Sequence, residues 1–168
     1  MSRLVKTLWF CLGGLALSSA AAAQSGAGLE MDQNRIQQVM QSCLEGTGGD
    51  PTSDSSQARK CTQDYVNDCL EGAGYSGAGQ RQCWGAIESY WSAQIETRTQ
   101  RLEAGAPAAF KRYVRDTAGT AERWTKDRCA FYALLHGAWV GPAQARCLVE
   151  TMIDRAVDLE VLEQNQGG

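Results

Sequence analysis

The sequence predicts an all-α fold: a small, disulfide-stapled helical bundle of about five helices, preceded by a signal peptide. Three observations carry that prediction. Apolar residues recur at helical steps of three, four and seven, no segment alternates long enough at period two to be a strand, and Gly- and Pro-containing stretches cut the periodic runs into helix-sized pieces.

Residues 1–23, MSRLVKTLWFCLGGLALSSAAAA, place Arg3 and Lys6 before an apolar run from Leu8 to Leu17 and then small residues at Ala21 and Ala23. This is the pattern of a secretory signal peptide, with cleavage expected after Ala23. The run is shorter than the roughly twenty apolar residues of a membrane span, and no later segment reaches that length, so no span is expected in the mature chain. Cys11 follows Trp9 and Phe10 rather than small residues, which argues against a lipid anchor. Residues 24–28, QSGAG, read as a flexible N-terminal leader, residues 29–163 as a single helical domain and residues 164–168 as a flexible tail.

The first helix is expected from Leu29, with Ile36, Val39, Met40 and Cys43 on one face, and Gly46, Gly48, Gly49 and Pro51 stop it. A second spans about 55–71, where Tyr65, Val66, Cys69 and Leu70 form the apolar face and Gly72 the stop. After GAGYSGAG, Cys83, Ile87, Tyr90, Trp91, Ile95 and Leu102 define a long third helix, and Gly105 and Pro107 end it and start the next. Phe110, Tyr113, Val114, Thr117, Ala121, Trp124, Phe131 and Leu135 share the stripe of a fourth. A fifth follows Gly141 and Pro142, on Ala145, Leu148, Met152, Ala156, Leu159 and Leu162.

Signal cleavage removes Cys11 and leaves an even set: Cys43, Cys61, Cys69, Cys83, Cys129 and Cys147. In an exported chain with no CxxC and one His, these read as three disulfides rather than a metal site, and no cofactor is expected. An internal echo, CLEGTGG at Cys43 and CLEGAGY at Cys69, marks two helix ends that each precede a Gly-rich loop and a further cysteine. If each bond clips the two helices flanking one loop, the pairs are Cys43–Cys61, Cys69–Cys83 and Cys129–Cys147. Other pairings remain open, but Cys61 and Cys69 sit about 12 Å apart on one helix, beyond the roughly 7 Å reach of a disulfide. Each proposed clip would stabilise the fold by about 3 kcal/mol through the unfolded chain.

Removing Arg3 and Lys6 takes the formal charge from -3 to -5. An acidic chain is a poor nucleic-acid partner and a better one for basic proteins.

Two stretches resemble a known family. The first, DCLEGAGYSGAGQRQCWGAIESYW, has paired cysteines around a Gly-rich loop and then a helix with an acidic residue and an aromatic, Glu88 and Trp91. The second, WTKDRCAFYALLHGAWVGPAQARCLVETMIDRAVDLEVL, has Cys129, a Gly-containing loop, Cys147, then Thr151, Arg155 with Ala156, and Leu159. From Cys61 to Leu162 the chain resembles the LprI-like lysozyme-inhibitor family of small exported bacterial helical domains. Trp124, Asp127 and Arg128 are offset from that family's usual Trp and Arg-Asp positions. The resemblance implies a periplasmic or secreted cell-envelope protein that binds and inhibits lysozyme by protein–protein contact, with Glu88, Trp91, Trp124, Arg128, Thr151 and Arg155 as structural motif residues.

The residues themselves point to binding rather than catalysis. His136 is the only histidine and sits in a Gly-flanked loop with no spare thiol or Gly-framed serine beside it, so no catalytic residue is assigned. The carboxylates alternate with arginines at helical spacing, as solvated ion pairs do. Asp127 and Arg128, with Arg155 one helix later, read either as a buried inter-helix pair or as plain surface. Trp91 and Trp124 lie on apolar stripes and are expected in the core. Trp139, in HGAWVG, is either a rigid binding anchor or a cap on the helix pair, and with His136 and Asp127 it forms the candidate partner-binding set. Competing readings are a structural or chaperone-like envelope protein, a hydrolase using His136, and a lipid-binding helical domain, which the mixed charges on the helices disfavour.

Overall fold

A computed structural model describes residues 22–45, 51–134, 137 and 140–166. Five α-helices follow one another: α1 (Ala22–Leu44), α2 (Pro51–Ala73), α3 (Gly77–Glu103), α4 (Ala108–Ala130) and α5 (Val140–Gln166), with a short 3-10 turn, Phe131–Leu134, after α4. The fold is the expected all-α bundle, and no strand occurs among the described residues. Of the expected signal peptide, 1–23, residues 1–21, Cys11 included, lie outside the described residues.

The centre is a slab of α2, α3 and α5 with α1 laid across α2 and α3, and α3 against α5 is the most extensive contact. Its core joins Ile36 and Met40 of α1, Cys61, Tyr65 and Val66 of α2, Ile87, Tyr90 and Trp91 of α3, and Val149 and Ile153 of α5. The expected apolar faces of the first three helices therefore meet one another, except that Val39 of α1 is exposed. Trp91 is 3% exposed, and its Nε1 donates to Thr62 Oγ1 at 3.0 Å, which satisfies the one polar atom of the indole inside the core. Ion pairs tie the slab from outside, Arg59 of α2 to Asp154 of α5, and Arg98 of α3 to Glu160 at 3.0 Å.

The three disulfides join Cys43 to Cys61, Cys69 to Cys83, and Cys129 to Cys147, with Cα separations of 5.9, 5.8 and 5.7 Å. These are the three loop-flanking pairs that the CLEG echo suggests.

The α2–α3 turn shows why its loop is built from small residues. Gly74 has a φ of 77°, in the left-handed region, and the Ser76 side chain caps α3 by accepting from the Gly79 N–H at 3.1 Å. A Cβ on Gly79 would stand 2.2 Å from the Gly74 carbonyl oxygen and 2.8 Å from that of Ala73, closer than any real contact. Gly79→Ala is accordingly expected to cost about 1–3 kcal/mol, because backbone must move to admit the methyl group. Gly72 has open space around its Cβ position and lies within α2, so Gly72→Ala is expected to stabilise by about 0.4–1 kcal/mol. Urea titration of both variants checks the pair, and a neutral Gly79→Ala would contradict the geometry.

Helix ends differ from expectation at two prolines, Pro51, expected as a stop, and Pro142, expected just before the fifth helix. Pro51 is the first residue of α2 and Pro142 the third of α5, since a first-turn residue needs no intrahelical N–H partner. Residues 24–28, expected as a leader, lie within α1, which begins at Ala22. Residues 164–166, expected as tail, extend α5.

The turn between α3 and α4 is clasped by Arg115, whose Nε and Nη2 each donate to Glu103 at 2.8 Å. That hydrogen bond holds the Glu103 carboxyl below its usual range. A depressed carboxylate contributes stability above the unfolded-state pKa and loses it as pH falls through the folded one. In Arg115→Ala this part of the acid limb should vanish, so wild type and variant converge in melting temperature as pH drops below the usual glutamate range.

Candidate functional site

The fourth helix departs most from the sequence reading, and the departure defines the site. Only Val114 and Cys129 of its 23 residues are buried. Of the expected core stripe, Tyr113 is 58% exposed, Trp124 55% and Phe131 61%. Trp124 is therefore a surface residue, not a core one. The periodicity of the stripe is real, but the bundle meets α4 roughly a quarter-turn away, along the Val114 side, and leaves the aromatic side outward. The stripe also does not run on as one helix, because α4 ends at Ala130 and the chain tightens into the 3-10 turn.

At the C-terminal end of α4 the exposed groups gather around a rigid point. Cys129 is buried and bonded to Cys147 on α5. Beside Cys129 in the chain, the Arg128 guanidinium lies 5.0 Å from the centroid of the Trp124 ring, a cation–π contact that covers part of the indole. Asp127 beside it is exposed. Beyond the disulfide, Phe131 packs edge-on to Tyr132 at 6.0 Å, and Leu134 is 73% exposed. His136 and Trp139 lie outside the described residues. They belong to the chain between Leu134 and Val140, inside the loop that Cys129–Cys147 closes, in which Gly137 takes a φ of 116°.

Of the residues expected as structural motif residues, two are buried and two half-buried. Trp91 is in the core, and Thr151, buried, turns its hydroxyl back to the Leu148 carbonyl at 2.7 Å and the Cys147 carbonyl at 3.3 Å, one turn behind the disulfide. Glu88 is half-buried on α3. Arg155 is half-buried on α5, with an Nη2 that has no hydrogen-bond partner among the described residues. The buried pairing of Asp127 or Arg128 with Arg155 does not form, since both α4 residues face solvent. Trp124 and Arg128 stack on each other at the surface instead.

Elsewhere the described residues form no cluster of His, Cys, Asp and Glu suited to a metal. A groove of about 210 Å³ between α2, α3 and α5 is bordered by Arg59, Trp84 and Arg146, and one of about 100 Å³ lies beside Trp91 and Arg98. Both are smaller than the roughly 300–1,000 Å³ of a small-molecule pocket. Arg59 and Arg146 are already paired, with Asp154 and Glu150. Among the described residues no helix is long and apolar enough to cross a membrane.

Sequence reasoning missed Phe131, Leu134 and Tyr113 as surface residues. The available signal was the charge density of α4, KRYVRDTAGTAERWTKDR, too high for a helix with a wide buried stripe.

The class of protein these features define is a disulfide-stapled all-α bundle with an outward-facing aromatic helix. No family model matches the chain, and neither the curated proteins nor the solved structures give a match.

Proposed function

We propose that the chain is an exported binding protein that acts by protein–protein contact, and that its target is lysozyme. The observation carrying the contact site is the exposed pair Phe131 and Leu134, which follow the disulfide-bonded Cys129 in the chain. An anchor must be apolar and must lose little freedom on binding, and a disulfide beside it supplies the second condition. Three disulfides fit an oxidising compartment, which supports export by the expected signal peptide. The choice of lysozyme comes from the resemblance to the LprI-like family and from charge. Animal-type lysozymes are strongly basic, and the mature chain, at -5, attracts such a partner. Attraction comes from the molecule as a whole rather than from α4, which carries six basic residues against three acidic ones. Contact at the α4 end is thus apolar, while acidic residues elsewhere steer the encounter. The test is titration of the oxidised mature protein against lysozyme activity on cell walls. Stoichiometric loss of activity is expected, and full activity at a large molar excess of the protein refutes the proposal.

A further inference from the structure

We infer that the outward face of α4 is a homodimer interface, on which α4 of a second copy lies antiparallel about a two-fold axis passing between residues 119 and 120. At 100° per residue, Tyr113, Thr120 and Trp124 fall in a stripe about 40° wide. Along one flank of that stripe run Arg112, Asp116, Arg123 and Asp127, all exposed. Among the other charges on the helix, Arg115 pairs with Glu103, Lys126 with Glu122, and Arg128 lies over the Trp124 ring. The four flank residues make no ion pair among the described residues. The only polar contact of their side chains is that of Arg123 Nη2, which donates to Thr120 Oγ1 at 3.2 Å.

Their order is what selects the partner. Arg112 and Asp127 are equidistant from the point between Gly119 and Thr120, and so are Asp116 and Arg123. Both opposite-charge pairs therefore share one centre of inversion along the helix. When a second α4 is laid antiparallel with its axis at that point, Arg112 comes level with Asp127 of the other copy, and Asp116 with Arg123, each twice. The aromatics share nearly the same centre. Tyr113 of one copy comes within about 3 Å, measured along the axis, of Trp124 of the other, so two aromatic pairs close the ends of the contact. Thr117 and Thr120, small and central, let the helices approach to an ordinary packing distance of about 8–10 Å.

An unrelated protein would have to supply this alternating pattern independently, whereas a second copy carries it by symmetry. An anionic membrane fits worse, because Asp116 and Asp127 on the same face would oppose its headgroups. A helix with only Val114 and Cys129 buried also leaves its aromatic side for another surface to cover. The inference does not rest on the lysozyme reading, since the oligomeric state is measured without lysozyme.

The experiment is sedimentation equilibrium of the oxidised mature protein, with far-UV circular dichroism of each variant as the folding control. Wild type should form a concentration-dependent dimer. Asp127→Arg sets arginine against Arg112 at two places and should weaken the dimer by about tenfold or more. The double exchange Arg112→Asp with Asp127→Arg recreates both pairs in reverse and should restore it. Because all these side chains are exposed, the variants should keep wild-type helicity. A wild type that stays monomeric up to several hundred micromolar, including one that instead co-sediments with phosphatidylglycerol vesicles, overturns the inference. So does a dimer indifferent to Asp127→Arg, or one that the double exchange fails to restore.

Discussion

Replacing Trp91 by alanine is expected to lower the unfolding free energy by about 3–5 kcal/mol, out of a total that for a domain of this kind is roughly 5–15 kcal/mol. Three losses combine. The indole is 3% exposed in the middle of the α2, α3 and α5 slab, so its removal leaves a cavity that no short rearrangement fills. Its ring meets Tyr90 edge-to-face at a centroid separation of 5.2 Å, and that contact disappears. Thr62, 3% exposed, also loses the indole N–H that its hydroxyl accepts, and so keeps a buried oxygen with one partner fewer. Trp91→Phe should cost less, since it retains most of the volume and the aromatic contact while giving up the hydrogen bond. Urea titration separates the two, and the expected order is wild type, then Phe, then Ala. Equal midpoints for wild type and Trp91→Ala would mean that Trp91 is not a core residue.

Breaking the Cys129–Cys147 bond by the double substitution Cys129→Ser and Cys147→Ser is expected to have the second largest effect. The cross-link spans 18 residues, and closing such a loop in the unfolded chain stabilises the native state by about 3 kcal/mol. The loss should be concentrated in one element rather than spread over the molecule. Since Val114 and Cys129 are the only buried residues of α4, removing the bond takes away the anchor of its C-terminal half. Hydrogen exchange should become much faster from about residue 118 to the 3-10 turn, while the amides around Ile87 and Ile153 at the centre of the slab remain protected. Uniform acceleration through all helices would contradict the picture of α4 as a helix held mainly at two points.

The disulfide framework was legible in the sequence because CLEG occurs twice, each time at a helix end before a Gly-rich loop, and that arrangement brings flanking cysteines together across the loop. The core positions of Ile36, Met40, Ile87 and Trp91 were legible for the usual reason, a stripe of apolar residues at helical spacing. The same reasoning misplaced Trp124. Periodicity says which residues share a face of a helix, and it does not say which neighbour covers that face. For α1, α2 and α3 a neighbour is present, but α4 is presented edge-on to the bundle and its aromatic side is left out. Pro51 and Pro142 were misread as boundaries outside helices because a proline that breaks a helix interior is harmless in a first turn. The candidate set at the HGAWVG loop is resolved in part. Asp127 is at the surface beside the stacked Trp124 and Arg128, whereas His136 and Trp139 lie outside the described residues. The exposed Phe131 and Leu134, on the near side of that loop, move the emphasis from the loop alone to the whole end of α4.

The molecule divides into a scaffold and, on the proposed function, a contact end. The slab of α2, α3 and α5, with its ion pairs and buried indole, fixes the Cys129–Cys147 bond in space. The bond in turn fixes the residues on either side of it. Thr151, one turn behind Cys147, anchors its hydroxyl on the same helix and belongs to the scaffold. Phe131 and Leu134 make no contribution to the buried core and can be changed without disturbing it.

The most direct measurement is therefore the inhibition of lysozyme by the double variant Phe131→Ser, Leu134→Ser, compared with wild type at matched concentration and with helicity and disulfide content verified. Wild type should inhibit, and the variant, with an unchanged fold, should require at least about tenfold more protein for the same effect. Inhibition by the variant equal to that of wild type would contradict this expectation, because the contact would then have to lie somewhere other than the end of α4.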